Sequence, residues 1–305
     1  MFQPMFAPRA RSPLLVLASL TLVVGLSGCG GSDSSSSSTP AASVSVAKDD
    51  ALAAQVPEAI RSDGVMNIGT DASYAPSEFI DADGKTVVGF DADLAKALGS
   101  VLGLQVDMQN APFDSLVEGI KNGKYDLGMS SFTVNADREK QVDMVSYYNA
   151  GTWWAVEKGN PAGITPDNAC GKKVAVQKGT VQVDDVTARS KTCTDAGKPA
   201  ISIEQFQLQS DATAALASGK DDAMLADRPV VAYAVQQTGG KLEVTGEVYD
   251  AAPYGIAVPK GQGDYTKAIQ GAMQKLITSG AYLDILKKWG VESGAVTTAD
   301  VNPVS

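Results

Sequence analysis

The 305-residue sequence contains no histidine and only three cysteines, and both features restrict its chemistry. Without imidazole, the chain cannot build a histidine-based metal site, a Ser-His-Asp triad or a histidine acid–base catalyst. Positive charge is also scarce, because 25 Lys and Arg residues stand against 35 Asp and Glu residues, a net charge of −10. This acidic balance argues against nucleic acid as a partner and against electrostatic docking on an anionic bilayer. We therefore expect no metal, no cofactor and no nucleic acid.

The N-terminal apolar run, Leu14–Leu26, is short for a membrane-spanning helix and is interrupted by Gly and Ser. It follows two arginines and ends in Leu26-Ser27-Gly28-Cys29, which resembles the bacterial lipobox. We predict a lipoprotein signal peptide over residues 1–28, with Cys29 as the lipidated first residue of the mature chain. Residues 29–49 are predicted to form a flexible Ser-rich tether. The alternative is an ordinary signal peptide with an incidental cysteine.

The two remaining cysteines, Cys170 and Cys193, form an even pair in a chain that we expect to be exported. Such a pair favours a disulfide. Two free buried thiols are the alternative. Zinc is less favoured, because neither a Cys-x-x-Cys motif nor a histidine accompanies these residues.

One unit occurs twice at a constant offset, so that Gly123 corresponds to Gly219 and Ser131 to Asp227. In each copy an apolar helix ends at a Gly-Lys turn and a short apolar strand follows. The Gly fits the left-handed position that closes a helix, and the apolar run fits a buried parallel strand. The strands end in polar residues, Ser130-Ser131 and Asp227. Ligands of open α/β sheets bind at such strand ends, so the repeat predicts two lobes around a cleft for a small ligand.

Strands and helices alternate from residue 65 to residue 130 and again from residue 174, which favours mostly parallel sheets. Residues 50–61 are predicted to form one short amphipathic helix. Thr152–Val156 and Tyr254–Val258 are interpreted as two crossings between the lobes, which together form a hinge. This interpretation assigns residues 50–153 and 256–292 to lobe 1, residues 154–255 to lobe 2, and residues 293–305 to a flexible tail.

Three segments resemble the polar amino acid-binding proteins of ABC importers, in the same order and spacing. They are Gly69-Thr70-Asp71-Ala72-Ser73-Tyr74-Ala75-Pro76, Gly89-Phe90-Asp91-Ala92-Asp93-Leu94-Ala95, and the stretch from Gly123 through Ser130-Ser131-Phe132-Thr133 to Arg138. The resemblance spans about residues 60–290. It implies a type II periplasmic-binding-protein fold, with two α/β lobes joined by a two-stranded hinge that close on one amino acid.

The resemblance assigns Arg138 to the α-carboxylate of the ligand, which a planar guanidinium can bind with two hydrogen bonds. The alternative is a surface arginine paired with Asp137 or Glu139. Asp227 would pair with the α-ammonium group of the ligand. Its alternative role is the N-cap of the helix that begins near Pro229, and both roles are compatible.

Further ligand contacts are implied around this pair: hydroxyl groups at the end of the first repeated strand, a helix N-terminus, aromatic walls and a side-chain pocket. These residues are Ser130, Ser131, Thr133, Thr180, Gln182, Tyr74, Phe113, Asp71 and Gln177. For Tyr74 and Phe113 the alternative is an ordinary core position. Glu78 is a further candidate for the side-chain pocket.

The family pattern is altered at Ser77, Phe113 and Val181, which border the side-chain end of the predicted site and leave the identity of the ligand open. We favour a glutamine-like ligand, with a basic amino acid or cystine next. The resemblance implies a monomeric, non-enzymatic lipoprotein at the extracytoplasmic face of the cell membrane that delivers its ligand to an ABC permease. An exported cyclohexadienyl or arogenate dehydratase is the alternative, with Glu78 or Asp91 as its acid. The sensor domain of a receptor is a third, less favoured interpretation.

Overall fold

The computed structural model describes residues 46–304. The predicted signal peptide, Cys29 and the tether up to residue 45 lie outside this part of the chain. Asp49, the last residue of the predicted tether, caps the first helix through its side chain and pairs with Lys275 at 3.0 Å. None of the helices in residues 46–304 has the length and apolar content that crossing a bilayer requires.

The chain alternates between helices and strands along most of its length. The helices are α1 (Asp50–Ala53), α2 (Glu58–Asp63), α3 (Phe90–Leu102), α4 (Phe113–Lys121), α5 (Ala136–Glu139), α6 (Val181–Asp195), α7 (Gln209–Ala217), α8 (Arg228–Gln237), α9 (Gly263–Ser279) and α10 (Ala281–Lys288). The strands are β1 (Val65–Thr70), β2 (Ser73–Tyr74), β3 (Glu78–Ile80), β4 (Val87–Val88), β5 (Gln105–Asn110), β6 (Leu127–Thr133), β7 (Val142–Glu157), β8 (Lys173–Gln177), β9 (Ser202–Phe206), β10 (Ala223–Asp227) and β11 (Leu242–Pro259).

Eight strands form one sheet in the order β5-β1-β6-β11-β7-β10-β8-β9. At one end β1 is parallel to β5 and β6, and at the other end β8 is parallel to β9 and β10. We call these groups, with their helices, the first and second lobes. The long strands β7 and β11 pair antiparallel with each other and run through both lobes. The predicted crossings are parts of these two strands, and the predicted two-lobed α/β fold with a two-stranded hinge is confirmed.

The repeated unit has the same local structure in both lobes. Gly123 follows α4 and Gly219 follows α7, and each glycine has a φ of 72°. A side chain there would strain the left-handed backbone, which explains why glycine closes both helices. The strands that follow, β6 and β10, are buried along almost their whole length. The polar residues at the ends of β6 and β10 therefore follow strands that are fixed in the core.

Each lobe has its own apolar core. In the first lobe α3 buries Leu94 and Leu98 against β1 and α9, as the spacing of its apolar residues predicts. Burying each such side chain contributes about 1.5–3 kcal/mol. In the second lobe a disulfide joins Cys170 to Cys193, as predicted, with a Cα–Cα distance of 5.6 Å. It ties the segment before β8 to α6.

Two predictions for the ends of the first lobe are wrong. Residues 50–61 form two short helices rather than one, because Pro57 starts a new helix at α2. Residues 293–304 pack on the protein rather than forming a free tail. Ser146 of β7 donates its backbone N–H to Asp300 O at 2.9 Å, Val301 forms a bridge with Val145, and Ala299 is buried.

Candidate functional site

A small cavity lies between the two lobes, at the ends of β6 and β10. It is lined by Tyr74, Phe113, Ser131, Thr133, Arg138, Gln177, Thr180, Val181, Gln182 and Asp227. The lobes touch across it, since Tyr74 of the first lobe donates its hydroxyl to Asp227 Oδ2 of the second at 2.8 Å. The free space is about 10 Å³, room for about one water molecule. The lobes must therefore move apart to admit any larger solute.

Arg138 approaches the cavity from α5, the short helix that follows β6. Its Nη1 donates to Thr133 O at 2.7 Å, and its Nη2 reaches across to Gly179 O at 3.2 Å. The guanidinium also lies over the rings of Phe113 and Phe132, 5.4 and 5.8 Å from their centroids. Burial lowers the pKa of Arg138 to about 10, opposed by the negative charge of Asp227, so the side chain stays charged at neutral pH.

The alternative of a surface arginine in an ion pair is wrong, because Arg138 is only 9% exposed. Asp137 pairs instead with Lys140 at 2.8 Å, and Glu139 accepts the backbone N–H of Val304. No ion pair within residues 46–304 includes Arg138. The cavity therefore holds a cation that is hydrogen-bonded only to neutral groups of the protein.

Asp227 is the last residue of β10 and occupies the N-cap position of α8, but its side chain makes no capping hydrogen bond. The carboxylate instead accepts from the Tyr74 hydroxyl and from Gln182 Nε2, at 2.8 and 2.9 Å. Burial raises the pKa of Asp227, while hydrogen bonds from neighbouring side chains and the charge of Arg138 oppose this rise. The carboxylate is aimed at the cavity rather than at the helix backbone.

The N-terminus of α6 forms the second-lobe wall of the cavity. Thr180 precedes the helix and donates its hydroxyl to Gln177 O at 2.8 Å. Gln182, in the first turn, donates to Thr152 Oγ1 and to Asp227 Oδ1. The free N–H groups of such a helix start suit an anion. Gly179 O, which accepts from Arg138, directly precedes this turn.

Two of the predicted residues lie behind the cavity rather than at its surface. Ser130 is buried, accepts the backbone N–H of Asp71 at 3.0 Å and donates to Glu78 at 2.8 Å. Asp71 accepts from the Phe113 N–H at 2.9 Å and from Gln177 Nε2 at 3.0 Å. Asp71 and Ser130 thus hold residues that do line the cavity. Glu78 is also fully buried and outside the lining set.

Val181 lines the cavity but was not among the predicted ligand contacts. The sequence places it at the border of the side-chain end of the site, between the predicted contacts Thr180 and Gln182. Every other lining residue was among the predicted contacts. Phe113 stacks on Phe132, with ring centroids 5.2 Å apart, so it is both a wall of the cavity and part of the core of the first lobe.

Two α/β lobes joined by two long strands, with a polar cavity between them, define a type II periplasmic binding protein. A model of one family, described as bacterial extracellular solute-binding proteins, family 3, matches residues 66–292. The chain belongs to this family.

Named relatives share most of the chain. The arginine-binding protein ArgT of Corynebacterium glutamicum is 38% identical over 252 residues, which cover 82% of this chain and 82% of the relative. The glutamine-binding protein GlnH of Bacillus subtilis is 28% identical, over 92% of this chain and 97% of its own length. A solved structure, an ancestral arginine-binding protein bound to arginine, is 35% identical with a TM-score of 0.69, covering 74% of this chain and 98% of that one. These relatives are binding proteins, and the chain is a binding protein rather than an enzyme.

Proposed function

We propose that this chain is the substrate-binding component of an ABC importer and that it captures one amino acid by closing its lobes. The observation that carries the proposal is the placement of Arg138 and Asp227. They come from different lobes and line one cavity, yet no ion pair within residues 46–304 joins them. A guanidinium matches an α-carboxylate and a carboxylate matches an α-ammonium, so one zwitterion fits both.

The groups around this pair fit the same ligand. The N-terminus of α6, with Thr180 and Gln182, offers donors to the α-carboxylate beside Arg138. The hydroxyl groups of Ser131 and Thr133 lie on the opposite wall. Tyr74 and Phe113 provide apolar surface for the ligand side chain. The small free space supports a cycle in which the lobes open by movement at β7 and β11, admit the ligand and close over it.

The charge around the cavity favours a ligand with a cationic side chain. The poles of the zwitterion neutralise Arg138 and Asp227, and the charged groups directly behind the cavity wall, Asp71 among them, are acidic. Asp71 is 1% exposed and touches the lining residue Gln177. The arginine-binding relatives support the same choice. We therefore rank arginine first, ahead of the glutamine that the sequence favoured and of cystine.

The same proposal includes the setting in which the protein works. Lipidation at Cys29 would anchor the chain, as a monomer, to the extracytoplasmic face of the cell membrane, and an ABC permease would receive the ligand. The family description and the name of the glutamine-binding relative support the extracellular location and the ABC transporter, and the Leu26-Ser27-Gly28-Cys29 motif supports the lipid anchor. The dehydratase alternative is not favoured, because the named relatives are binding proteins.

A thermal-shift panel of the standard amino acids and cystine tests the proposal on the mature chain with Cys29→Ser, which removes the lipid. A ligand at about one hundred times its Kd stabilises the folded state by about 2.7 kcal/mol. We expect the largest shift with arginine, its loss in Arg138→Ala, and no change in Arg61→Ala, an exposed control. Asp71→Asn should weaken arginine binding more than glutamine binding. A normal response of Arg138→Ala would contradict the assignment of the carboxylate.

A further inference from the structure

Two carboxyl groups lie directly behind the first-lobe wall of the cavity. Glu78 of β3 and Asp91 of α3 are both 0% exposed. Ser130 Oγ donates to Glu78 Oε1 at 2.8 Å, and the backbone N–H of Ser131 donates to Asp91 Oδ2 at 2.9 Å. The two acids therefore hold two consecutive residues of β6, at the end of the strand that faces the cavity.

Ser131 needs this support because of its backbone conformation. Its φ is +49°, in the left-handed region that residues other than glycine rarely adopt. Both its N–H and its hydroxyl donate to Asp91 Oδ2, at 2.9 and 3.2 Å. Ser131 also lines the cavity. Asp91 thus fixes the shape of the cavity wall without reaching the cavity itself.

The two acids need one proton between them. They are neighbours, since the backbone N–H of Asp91 donates to the carbonyl of Ser77, the residue before Glu78, at 2.9 Å. Glu78 Oε2 and Asp91 Oδ1 are both buried, and neither accepts a hydrogen bond from any group within residues 46–304. Ionised carboxylates only accept hydrogen bonds, so these two oxygens are satisfied when one acid is protonated and donates to the other. Asp91 Oδ2 already accepts from Ser131 and from the Tyr147 hydroxyl, and Asp91 lies in the first turn of α3, where the helix dipole favours an anion. The proton therefore belongs on Glu78.

We infer that Glu78 and Asp91 share one proton and act as positioning residues for the ligand, so that loss of this proton weakens binding. This inference rests on the proposed amino acid-binding function. Without the proton, two buried negative charges would repel each other, and each of them holds one residue of the cavity wall. The supports of Ser130 and Ser131 would then shift, and the end of β6 would no longer match the ligand.

The charges around the pair set the direction of the pH effect. Burial raises the pKa of Glu78 well above its ordinary value and the pKa of Asp91 to about 6, and the nearby charge of Asp71 raises that of Glu78 further. The facing tyrosines are Tyr74, Tyr147 and Tyr148, and burial raises their pKa values, so they stay neutral. Loss of the shared proton therefore weakens binding as the pH rises.

The other ionisable groups of the site act in other pH ranges. Asp71 and Asp227 would weaken binding when they become protonated in acid, which is the opposite direction. Arg138, with a pKa of about 10, loses its charge only at higher pH. A loss of affinity as the pH rises, complete before Arg138 loses its charge, thus separates the Glu78–Asp91 pair from these groups.

Calorimetric titration of the mature Cys29→Ser chain with arginine, from pH 5 to pH 9, tests the inference. For the protein that retains Glu78 and Asp91 we expect the Kd for arginine to rise with pH. The rise should approach about tenfold per pH unit above the pKa at which the shared proton is lost. Glu78→Gln keeps the shape and donates an N–H to Asp91, so its Kd should stay nearly constant over this range. Asp91→Asn serves as a second variant, because its amide can donate to an ionised Glu78. Asp221→Asn, a buried carboxyl outside the cavity, is the matched control and should retain the pH dependence.

A flat profile for the unaltered pair, or equal slopes in it and in Glu78→Gln, would overturn the inference. If arginine does not bind at any pH, the titration is repeated with the amino acid that gives the largest shift in the thermal-shift panel. If none binds, the proposed function fails, and the shared proton is tested by unfolding in urea. The stability of the unaltered pair should then fall with rising pH relative to Glu78→Gln, and parallel curves would refute the shared proton.

Discussion

Replacing Asp227 by asparagine should weaken ligand binding and stabilise the ligand-free protein at the same time. The carboxylate is 5% exposed and accepts hydrogen bonds from Tyr74 and Gln182, both neutral groups. Asparagine can keep both contacts, because its oxygen accepts from Gln182 while its amide donates to the Tyr74 oxygen. The substitution therefore removes the charge with little change of shape.

The sign of the stability change follows from the pKa. Burial raises the pKa of Asp227, so between about pH 4 and the raised value the folded protein holds a proton that the unfolded chain has released. The contribution of Asp227 to stability is fully present below the pKa of an unfolded aspartate. It is lost as the pH rises through the higher pKa of Asp227 in the folded protein. At pH 7 Asp227 is thus a buried charge that disfavours folding, and the asparagine variant lacks this cost.

The loss of affinity has the opposite origin. A hydrogen bond between the ligand ammonium and a carboxylate contributes about 1.5–3 kcal/mol, which corresponds to an increase in Kd of about 10- to 150-fold. Titration calorimetry and urea unfolding of the same samples at pH 7 give both quantities. Asp221→Asn, a buried carboxyl whose pKa burial also raises, should affect stability but not affinity. An Asp227→Asn protein that binds normally, or that loses stability at pH 7, would refute this reasoning.

Two further predictions concern stability. Replacing Cys170 and Cys193 by serine should lower the free energy of unfolding, measured in urea, by about 3–4 kcal/mol on the chain-entropy account. If the unaltered protein unfolds at the same urea concentration with and without reductant, this prediction is wrong. Deleting residues 297–305 should cost about 2–4 kcal/mol, because several hydrogen bonds to β7 and α9 are lost. Deletion of residues 303–305 alone is the control, and equal stability of the two truncated chains would contradict the packing of this segment.

The parts of the fold that follow from local sequence could be predicted. Gly123 and Gly219 mark equivalent helix ends because a left-handed backbone restricts the residue type at one position. The apolar strands after them are recognisable because both faces are buried. Asp227 could be placed at the cleft because it ends one of these strands, whereas the place of Arg138 in the site follows from the family resemblance.

The remaining features depend on contacts that leave little trace in sequence. The segment 293–304 is held mainly by its backbone, as in the pairing of Asp300 with Ser146, and backbone hydrogen bonds do not constrain side-chain identity. Asp91 lies in the first turn of α3, a common position for an acidic residue, and this position gives no sign of its contact with Ser131. The prediction places Asp71 and Ser130 at the cavity surface. In the structure both lie one residue behind it, and Asp71 contacts the lining residue Gln177. How far a side chain lies behind the cavity wall depends on tertiary packing, and the spacing of residues along the sequence does not reveal it.

The hydrogen bonds of Arg138 and Asp227 explain why a zwitterion would favour lobe closure. With the lobes in contact, Thr133 and Gly179 satisfy the guanidinium, and Tyr74 and Gln182 satisfy the carboxylate. These neutral partners replace hydrogen bonds to water, but within residues 46–304 neither buried charge has an ion-pair partner, which is costly in a protein interior. An amino acid would supply a counter-charge to each side chain only when both lobes contact it. The ligand would therefore bind the closed form more tightly than the open form, which is the difference in affinity that any shift toward closure requires.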